Sequence, residues 1–368
     1  MKGLMKQTRI YTVLLFAVLT ACVSPVRREA GTRELADAAG RKVLVPDTVH
    51  SVVALRSGAL RLLCYLDVAH RVKYIEGNEQ RRDVPYLFAN PFLRELPLIG
   101  AGNHYDPELL AAAGVDLIVA TYMSRQEAAR LQRVTRTPVF VLEYGDLNRN
   151  KDDLYHSLKS LGKIFYRESR ADSLIGFMEE TMNEYRHRAD TGRAGEICAY
   201  VGGVAYRGAH GITSTEPGYP PFRFLGIRNC GEMMGEVVSS PVASQENAFI
   251  EKEQLIAWDP DFLFLDVAGR QIWAGEIEQE VLKENIRAIR QHRVYTVLPY
   301  NWYTTNFENL FCNTWYIGKV VFPEGFSDVN PRQKCREIYR FFLGKDVFDR
   351  MQENNRPFEQ VRITGAGS

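Results

Sequence analysis

Two stretches of this 368-residue chain concentrate recognition chemistry. Tyr206-Arg207-Gly208-Ala209-His210-Gly211 and Tyr300-Asn301-Trp302-Tyr303 set aromatic rings beside an arginine, a histidine and an amide. Aromatic faces stack on large planar or partly apolar groups, and a guanidinium pairs with carboxylates and other anions. Arg56-Ser57, Tyr122-Met123, Glu143-Tyr144 and Trp273 repeat the theme elsewhere. This is chemistry for holding a molecule. Bond-making chemistry is scarce: there is no G-x-S-x-G nucleophile elbow and no P-loop, and Gly100-Ala101-Gly102 lacks the third glycine of a dinucleotide fingerprint. No catalytic residues are expected.

Seven histidines, His50, His70, His104, His156, His187, His210 and His292, are scattered without H-E-x-x-H or paired spacing. A bare Zn or Mn site needs about three or four convergent ligands, so no resident metal or cofactor is expected. His104 precedes a helix start and His210 lies in a glycine-rich loop, so either is a candidate to reach a site. Beyond Cys22 stand Cys64, Cys198, Cys230, Cys312 and Cys335, an odd number with no C-x-x-C spacing. Cys64 and Cys198, inside apolar runs, read as small buried hydrophobes. An oxidising compartment allows one disulfide among the five, and no pair is singled out.

The elements that must position these residues alternate. Ser51–Leu55, Val72–Ile75, Asp116–Ala120 and Val139–Leu142 read as strands, with helices over Gly58–Leu66, from Asp106-Pro107-Glu108 onward and over Arg125–Val134. Asp106 suits the N-cap and Pro107 the first turn. Such an order implies parallel pairing through crossovers. Residues 152–190 then carry apolar side chains at three- and four-residue spacing with no proline, predicting a long helix. A second series follows: strands Ile197–Val201, Phe262–Asp266 and Val294–Leu298, with helices Glu251–Trp258, Val281–Gln291, Phe307–Val321 and Gln333–Leu343. The expected fold class is therefore α/β, two Rossmann-like lobes joined by one long helix with a ligand cleft between them. Its expected units are a lobe over 36–150, a connector over 151–192, a lobe over 193–350 and a tail over 351–368. Loops at the carboxyl ends of strands should line the cleft. These place Arg56, Ser57, Tyr122, Met123, Tyr144, Arg207, His210, Trp273, Trp302 and Tyr303 as the candidate ligand-binding residues.

Composition narrows the classes. Apolar residues make up 45% and charged residues 25% of the chain, which excludes a polytopic membrane protein and a disordered chain. The net charge is +1; three of the 46 basic residues fall within 1–21, leaving 43 against 45 acids, so no nucleic-acid footprint exists. Ile10–Ala21 is a 12-residue uncharged run after a basic start. That is too short for a span of about 20 residues and fits the apolar region of a signal peptide over 1–21. Leu19-Thr20-Ala21-Cys22 resembles the lipobox of bacterial lipoproteins, which implies lipidation at Cys22, a tether over 22–35 and a membrane-anchored protein outside the cytoplasm.

Several ordered segments together resemble the substrate-binding proteins of bacterial ABC importers, in the group that takes up iron–siderophore, haem and cobalamin-type chelates. Asp37-Ala38-Ala39-Gly40-Arg41-Lys42-Val43 with Pro46 is similar to that family's opening hairpin, and Ser51–Leu66 to its first strand and helix. Pro107-Glu108-Leu109-Leu110 through Val115-Asp116-Leu117-Ile118 resembles its "E-x-L…PDL" segment, with Gly114-Val115 where Lys-Pro is usual. Glu253-Gln254-Leu255 through Asp259-Pro260-Asp261 matches that pattern more fully, and Arg293-Val294-Tyr295 and Phe322-Pro323-Glu324-Gly325-Phe326 add to it. The resemblance implies a monomer that captures a metal chelate and docks onto an ABC permease through Glu108 and Glu253. It leaves open whether a histidine ligates a haem iron or a corrinoid cobalt. Other readings of the same chain are a binder of a bare metal ion, a metal-handling enzyme, or a non-transport sensor lipoprotein on the same two-lobed fold.

Overall fold

The computed structural model describes residues 31–102, 104–189, 194–234 and 248–364. The leader, Cys22 and most of the expected tether lie outside the described residues. The chain opens with an antiparallel hairpin, β1 (Thr32–Ala36) and β2 (Lys42–Pro46), so regular structure begins inside the stretch expected as tether. Asp37 at its turn is buried and accepts from the Arg41 backbone N–H at 2.8 Å and from Arg41 Nε at 2.9 Å.

Four parallel strands form the first sheet: β3 (Val52–Leu55), β4 (Val72–Tyr74), β5 (Leu117–Thr121) and β6 (Val139–Leu142), in the order β4-β3-β5-β6. Every residue of β3, β5 and β6 is buried, which is why these strands read as unbroken apolar runs. Helix α1 (Ala59–Tyr65) follows β3, and α2 (Pro107–Ala113) precedes β5. The Asp106 carboxylate caps α2, accepting from the N–H groups of Glu108 at 2.8 Å and Leu109 at 3.2 Å, and Gly114 ends it at φ 58°.

The second sheet repeats the plan. Strands β7 (Cys198–Gly202), β9 (Arg228–Asn229), β11 (Phe262–Asp266) and β12 (Val294–Val297) are parallel in the order β12-β11-β7-β9; β8 (Ser214–Thr215) and β10 (Ala248–Phe249) pair separately. In both sheets the first strand lies between the second and the third. A disulfide joins Cys198 to Cys230 beside β7 and β9, so Cys198 is a bridge and not the inert hydrophobe its sequence context suggests. Cys64, Cys312 and Cys335 are buried free thiols.

The connector is two helices, α3 (Lys151–Phe165) and α4 (Glu168–Ala189), not one. Tyr166 turns left-handed at φ 56°, and the Arg167 N–H returns to the Gly162 carbonyl at 2.7 Å. Gly162 lets the two helices approach closely: a Cβ there would stand 3.1 Å from the Ala171 Cβ, tighter than ordinary contact. Only α4 is the strut. The stretch Val281–Gln291 likewise divides, into Glu280–Asn285 and Arg287–Arg290, because Ile286 is extended. Two long helices, α6 (Phe307–Val321) and α7 (Pro331–Leu343), follow α5 (Lys252–Trp258) in chain order. The expected tail is structured: after the helix Phe348–Asn355, the Phe358 and Val361 N–H groups donate to Thr296 and Val294 on β12 at 2.9 and 2.8 Å.

One apolar core runs through both lobes, from Leu63 and Leu158 across Leu174 and Met178 of the strut to Phe311 and Phe342. Arg170 on α4 ties the halves by donating from Nε to the Tyr65 carbonyl at 2.9 Å and from Nη2 to the Phe342 carbonyl at 3.2 Å.

Candidate functional site

In a sheet ordered this way, the loops leaving the first and third strands diverge and open a crevice at their carboxyl ends. In the first lobe β3 runs into Arg56-Ser57 and β5 into Tyr122. The second lobe contributes the loop after β7, Ala205–Gly208, and the loop after β12, Asn301–Thr304. These four loops, with Asn78 and Arg82, enclose a cleft of about 790 Å³ between the lobes. That is within the usual 300–1,000 Å³ of small-molecule sites.

Five of its residues sit in the left-handed backbone region: Arg56 at φ 68°, Tyr122 at 50°, Arg207 at 55°, Tyr303 at 62° and Thr304 at 64°. Each costs an ordinary side chain about 1 kcal/mol or more, and such strain persists where the surroundings impose it. Thr121 Oγ1 donates to the Ser57 carbonyl at 2.8 Å, tying the two first-lobe loops together. Gly58, at φ 95°, has no room for a Cβ, which would lie 2.2 Å from the Tyr144 ring.

The charged groups of the lining are arginines with unequal freedom. The Arg56 guanidinium is committed to the Tyr122 carbonyl and the Glu127 carboxylate, and Glu127 also accepts from Tyr105 OH at 3.1 Å. Arg82 lies 3.9 Å over the Tyr303 ring, and its Nε is buried without a hydrogen-bond partner. Arg207 is exposed, 5.4 Å over the Tyr206 ring, and no carboxylate among the described residues pairs with it. Tyr122 OH meets Thr304 Oγ1 at 3.2 Å, a polar contact from one lobe to the other.

Behind the lining lies an ionisable floor. Glu76 Oε2 accepts from the Arg56 N–H at 2.8 Å and from Tyr303 OH at 3.0 Å, while Oε1 is buried without a partner. Burial, reinforced by Glu79, pushes the Glu76 carboxyl up to about 7. Glu79 accepts from Tyr86 OH, and burial raises it to about 6. Arg61, fully buried on α1, donates from Nη1 to Tyr144 OH at 2.5 Å and the Thr305 carbonyl at 2.7 Å, and from Nη2 to Asn306 Oδ1 at 3.0 Å. A first-lobe arginine therefore holds the second-lobe loop that carries Trp302 and Tyr303.

Of the ten residues expected to bind ligand, the structure brings Arg56, Ser57, Tyr122, Arg207, Trp302 and Tyr303 to the cleft. Four stand elsewhere. Met123 turns into the first-lobe core, packed in the cluster that holds Leu110, Ala128 and Leu131. Tyr144 is fully buried, stacked on Phe307 at 5.1 Å, with its OH on the Thr305 carbonyl at 2.7 Å. Trp273 is buried on a short helix, donating Nε1 to the Asp266 carbonyl at 2.8 Å. His210 braces its own loop, with Nε2 at 2.7 Å from the Tyr206 carbonyl and its ring edge-on to Phe249 at 4.8 Å. His104 and Glu143 line other surface grooves.

Sequence reasoning missed Asn78, Arg82, Glu76, Glu79 and Arg61. Arg61 stands inside the apolar helix α1, and the other four lie at the start of a stretch, 76–97, that folds as turns of four or five residues, too short to show a period. A signal was present: Glu76, Glu79 and Arg82 recur every third residue, the spacing of one face of a helical turn. Glu108 and Glu253 occupy matched places, each exposed in the first turn of the helix that precedes the third strand of its sheet. No group of three or more His, Cys, Asp or Glu among the described residues could hold a metal ion, and no helix among them is long and apolar enough to cross a membrane.

A protein-family model for periplasmic binding proteins matches residues 66–300. No curated protein sequence matches the chain. Among solved structures, the molybdate-bound periplasmic binding protein MolA of Haemophilus influenzae is 17% identical, with a TM-score of 0.66 over 85% of this chain and 98% of that one. The TroA-like periplasmic binding protein FepB of Veillonella parvula is 15% identical, with a TM-score of 0.62 over 85% and 97%. The siderophore-binding protein BauB, bound to ferric iron and two acinetobactin molecules, is 19% identical, with a TM-score of 0.52 over 72% and 89%. At these identities the likeness is one of fold.

Proposed function

Since the chain belongs to the periplasmic binding protein family, as the solute-binding and non-enzymatic component of an ABC transporter, we propose that its solute is an anionic metal chelate and that the cleft between the lobes is where it binds. The lining carries this reading. Its charged groups are arginines, of which Arg207 has no carboxylate partner among the described residues, and its apolar surface is the rings of Tyr122, Tyr206, Trp302 and Tyr303. Guanidinium and aromatic faces suit a bulky anion with planar parts. The donor chemistry of this lining suits a bare divalent cation poorly. The ferric acinetobactin complex named for BauB is a chelate in keeping with such a site, and the molybdate oxyanion named for MolA shares its negative charge.

Around this centre, Glu108 and Glu253 are the proposed points of contact with the permease, one on each lobe, and Cys22 is the proposed lipid anchor. Trp302, half-buried in the lining, provides a local fluorescence reporter. A protein beginning after Cys22 should be titrated with ferric siderophores, haemin, cobalamin, molybdate, and bare Zn²⁺, Mn²⁺ and Fe³⁺. Saturable one-to-one quenching by a chelate, lost in Trp302→Phe, is the expected outcome. Tight binding of a bare ion alone, or of nothing in the panel, overturns the chelate reading and leaves the family assignment intact.

A further inference from the structure

Two buried thiols meet in the helix pair that completes the second lobe. Cys312 lies in α6 and Cys335 in α7; both are fully buried and both are free. Contacts on either side fix how the two helices face each other. Below the cysteines, Tyr339 OH donates to Asn309 Oδ1 at 2.7 Å. Above them, the Lys334 ammonium lies 4.8 Å over the Trp315 ring. Cys335 and Cys312 occupy the level between these two contacts in an antiparallel pair, and their side chains interact directly. Burial and the contact with Cys335 both raise the Cys312 thiol. Neither residue belongs to the cleft or to the two glutamate-bearing helix ends.

We propose that Cys312 and Cys335 form a second disulfide in the exported protein. The proposal rests on the periplasmic reading, because disulfides form and persist in oxidising compartments; this chain already carries one between Cys198 and Cys230. Two thiols lose two protons and two electrons as one S–S bond forms. An exported thiol–disulfide oxidoreductase accepts the electrons through a mixed disulfide, its own S–S bond being reduced to a dithiol. The order of events follows from burial. A fully buried thiol with a raised pKa presents little thiolate and no access, so exchange precedes closure of the hairpin. The link would matter because α7 returns to the first lobe, where Phe342 packs against Tyr65 at 5.0 Å between ring centroids. A bond from α6 to α7 staples that return behind the cleft and leaves Cys64 unpaired.

The full chain with its leader should be expressed in a bacterium with an oxidising periplasm, quenched in acid, denatured without reductant and alkylated with iodoacetamide. Mass spectrometry of the peptides is expected to find Cys198 linked to Cys230, Cys312 linked to Cys335, and Cys64 alkylated. Alkylated Cys312 and Cys335 beside an intact Cys198–Cys230 link overturn the second disulfide and leave the periplasmic reading standing. Alkylation of all four overturns both together.

Discussion

Arg207 presents an exposed guanidinium from a left-handed backbone, 5.4 Å over the Tyr206 ring. A hydrogen bond to a charged group is worth about 1.5–3 kcal/mol. Arg207→Ala should therefore weaken binding of an anionic chelate roughly 10–100-fold by isothermal titration, with Arg207→Lys recovering part of it. Unchanged affinity removes Arg207 from the site. Glu76 supports a pH prediction. Its folded carboxyl titrates at about 7 instead of 4.5, so between those values the folded state binds more protons than the unfolded one. Stability therefore falls as pH rises through this window, and the contribution is full below it. For Glu76 alone the swing is about 3 kcal/mol. Asp266, buried at the end of β11 and raised to about 7, acts in the same direction. Urea unfolding from pH 5 to 8 should show this slope, and Glu76→Gln should flatten it and raise stability at pH 8. A slope unaltered in Glu76→Gln would show that Glu76 is ionised in the folded protein.

The first turns of α2 and α5 hold Glu108 and Glu253 at equivalent points of two similarly ordered sheets. An acid in that position also complements the helix dipole, worth about 0.3–1 kcal/mol. Reversing both charges tests the alternatives together. Glu108→Lys with Glu253→Lys should abolish uptake in cells while ligand affinity and the far-ultraviolet spectrum stay unchanged. Uptake at the native rate would reduce both residues to dipole partners. Element boundaries were legible where local chemistry is strong, as at Asp106-Pro107 and over Phe307–Val321. They were not where one residue overrules the period, as Tyr166 does between α3 and α4 and Ile286 does in the second lobe.

At the scale of the whole molecule, a continuous core and Arg61 together argue against wide opening and closing. Arg61 reaches from α1 to the Thr305 carbonyl and Asn306 Oδ1, and its loss would take the donor from the buried Asn306 Oδ1 and unfasten the second-lobe loop from α1. Arg61→Leu should cost about 3–5 kcal/mol in urea unfolding; a loss below about 1 kcal/mol would show that the lobes hold their places without it. Small-angle scattering should give superimposable profiles with and without bound chelate. A marked compaction on binding would show hinge motion that the strut and core do not predict.

The sequence by itself determined the two α/β series, the helical connector and most of the loops that meet at the cleft. Each of these follows from period, caps and apolar runs, which are properties of neighbours along the chain. The order of the strands within each sheet, β9 included, came from the tertiary structure. Six candidate ligand residues were legible because strand ends are local too. Only the tertiary structure decided that Tyr144, Met123 and Trp273 face inward and that Arg56 spends its charge on Glu127. It also decided that Glu76 and Arg82 stand behind and beside Tyr303. Those contacts join residues more than 60 positions apart or turns too short to carry a period, and side-chain direction there is fixed by packing that no local pattern records.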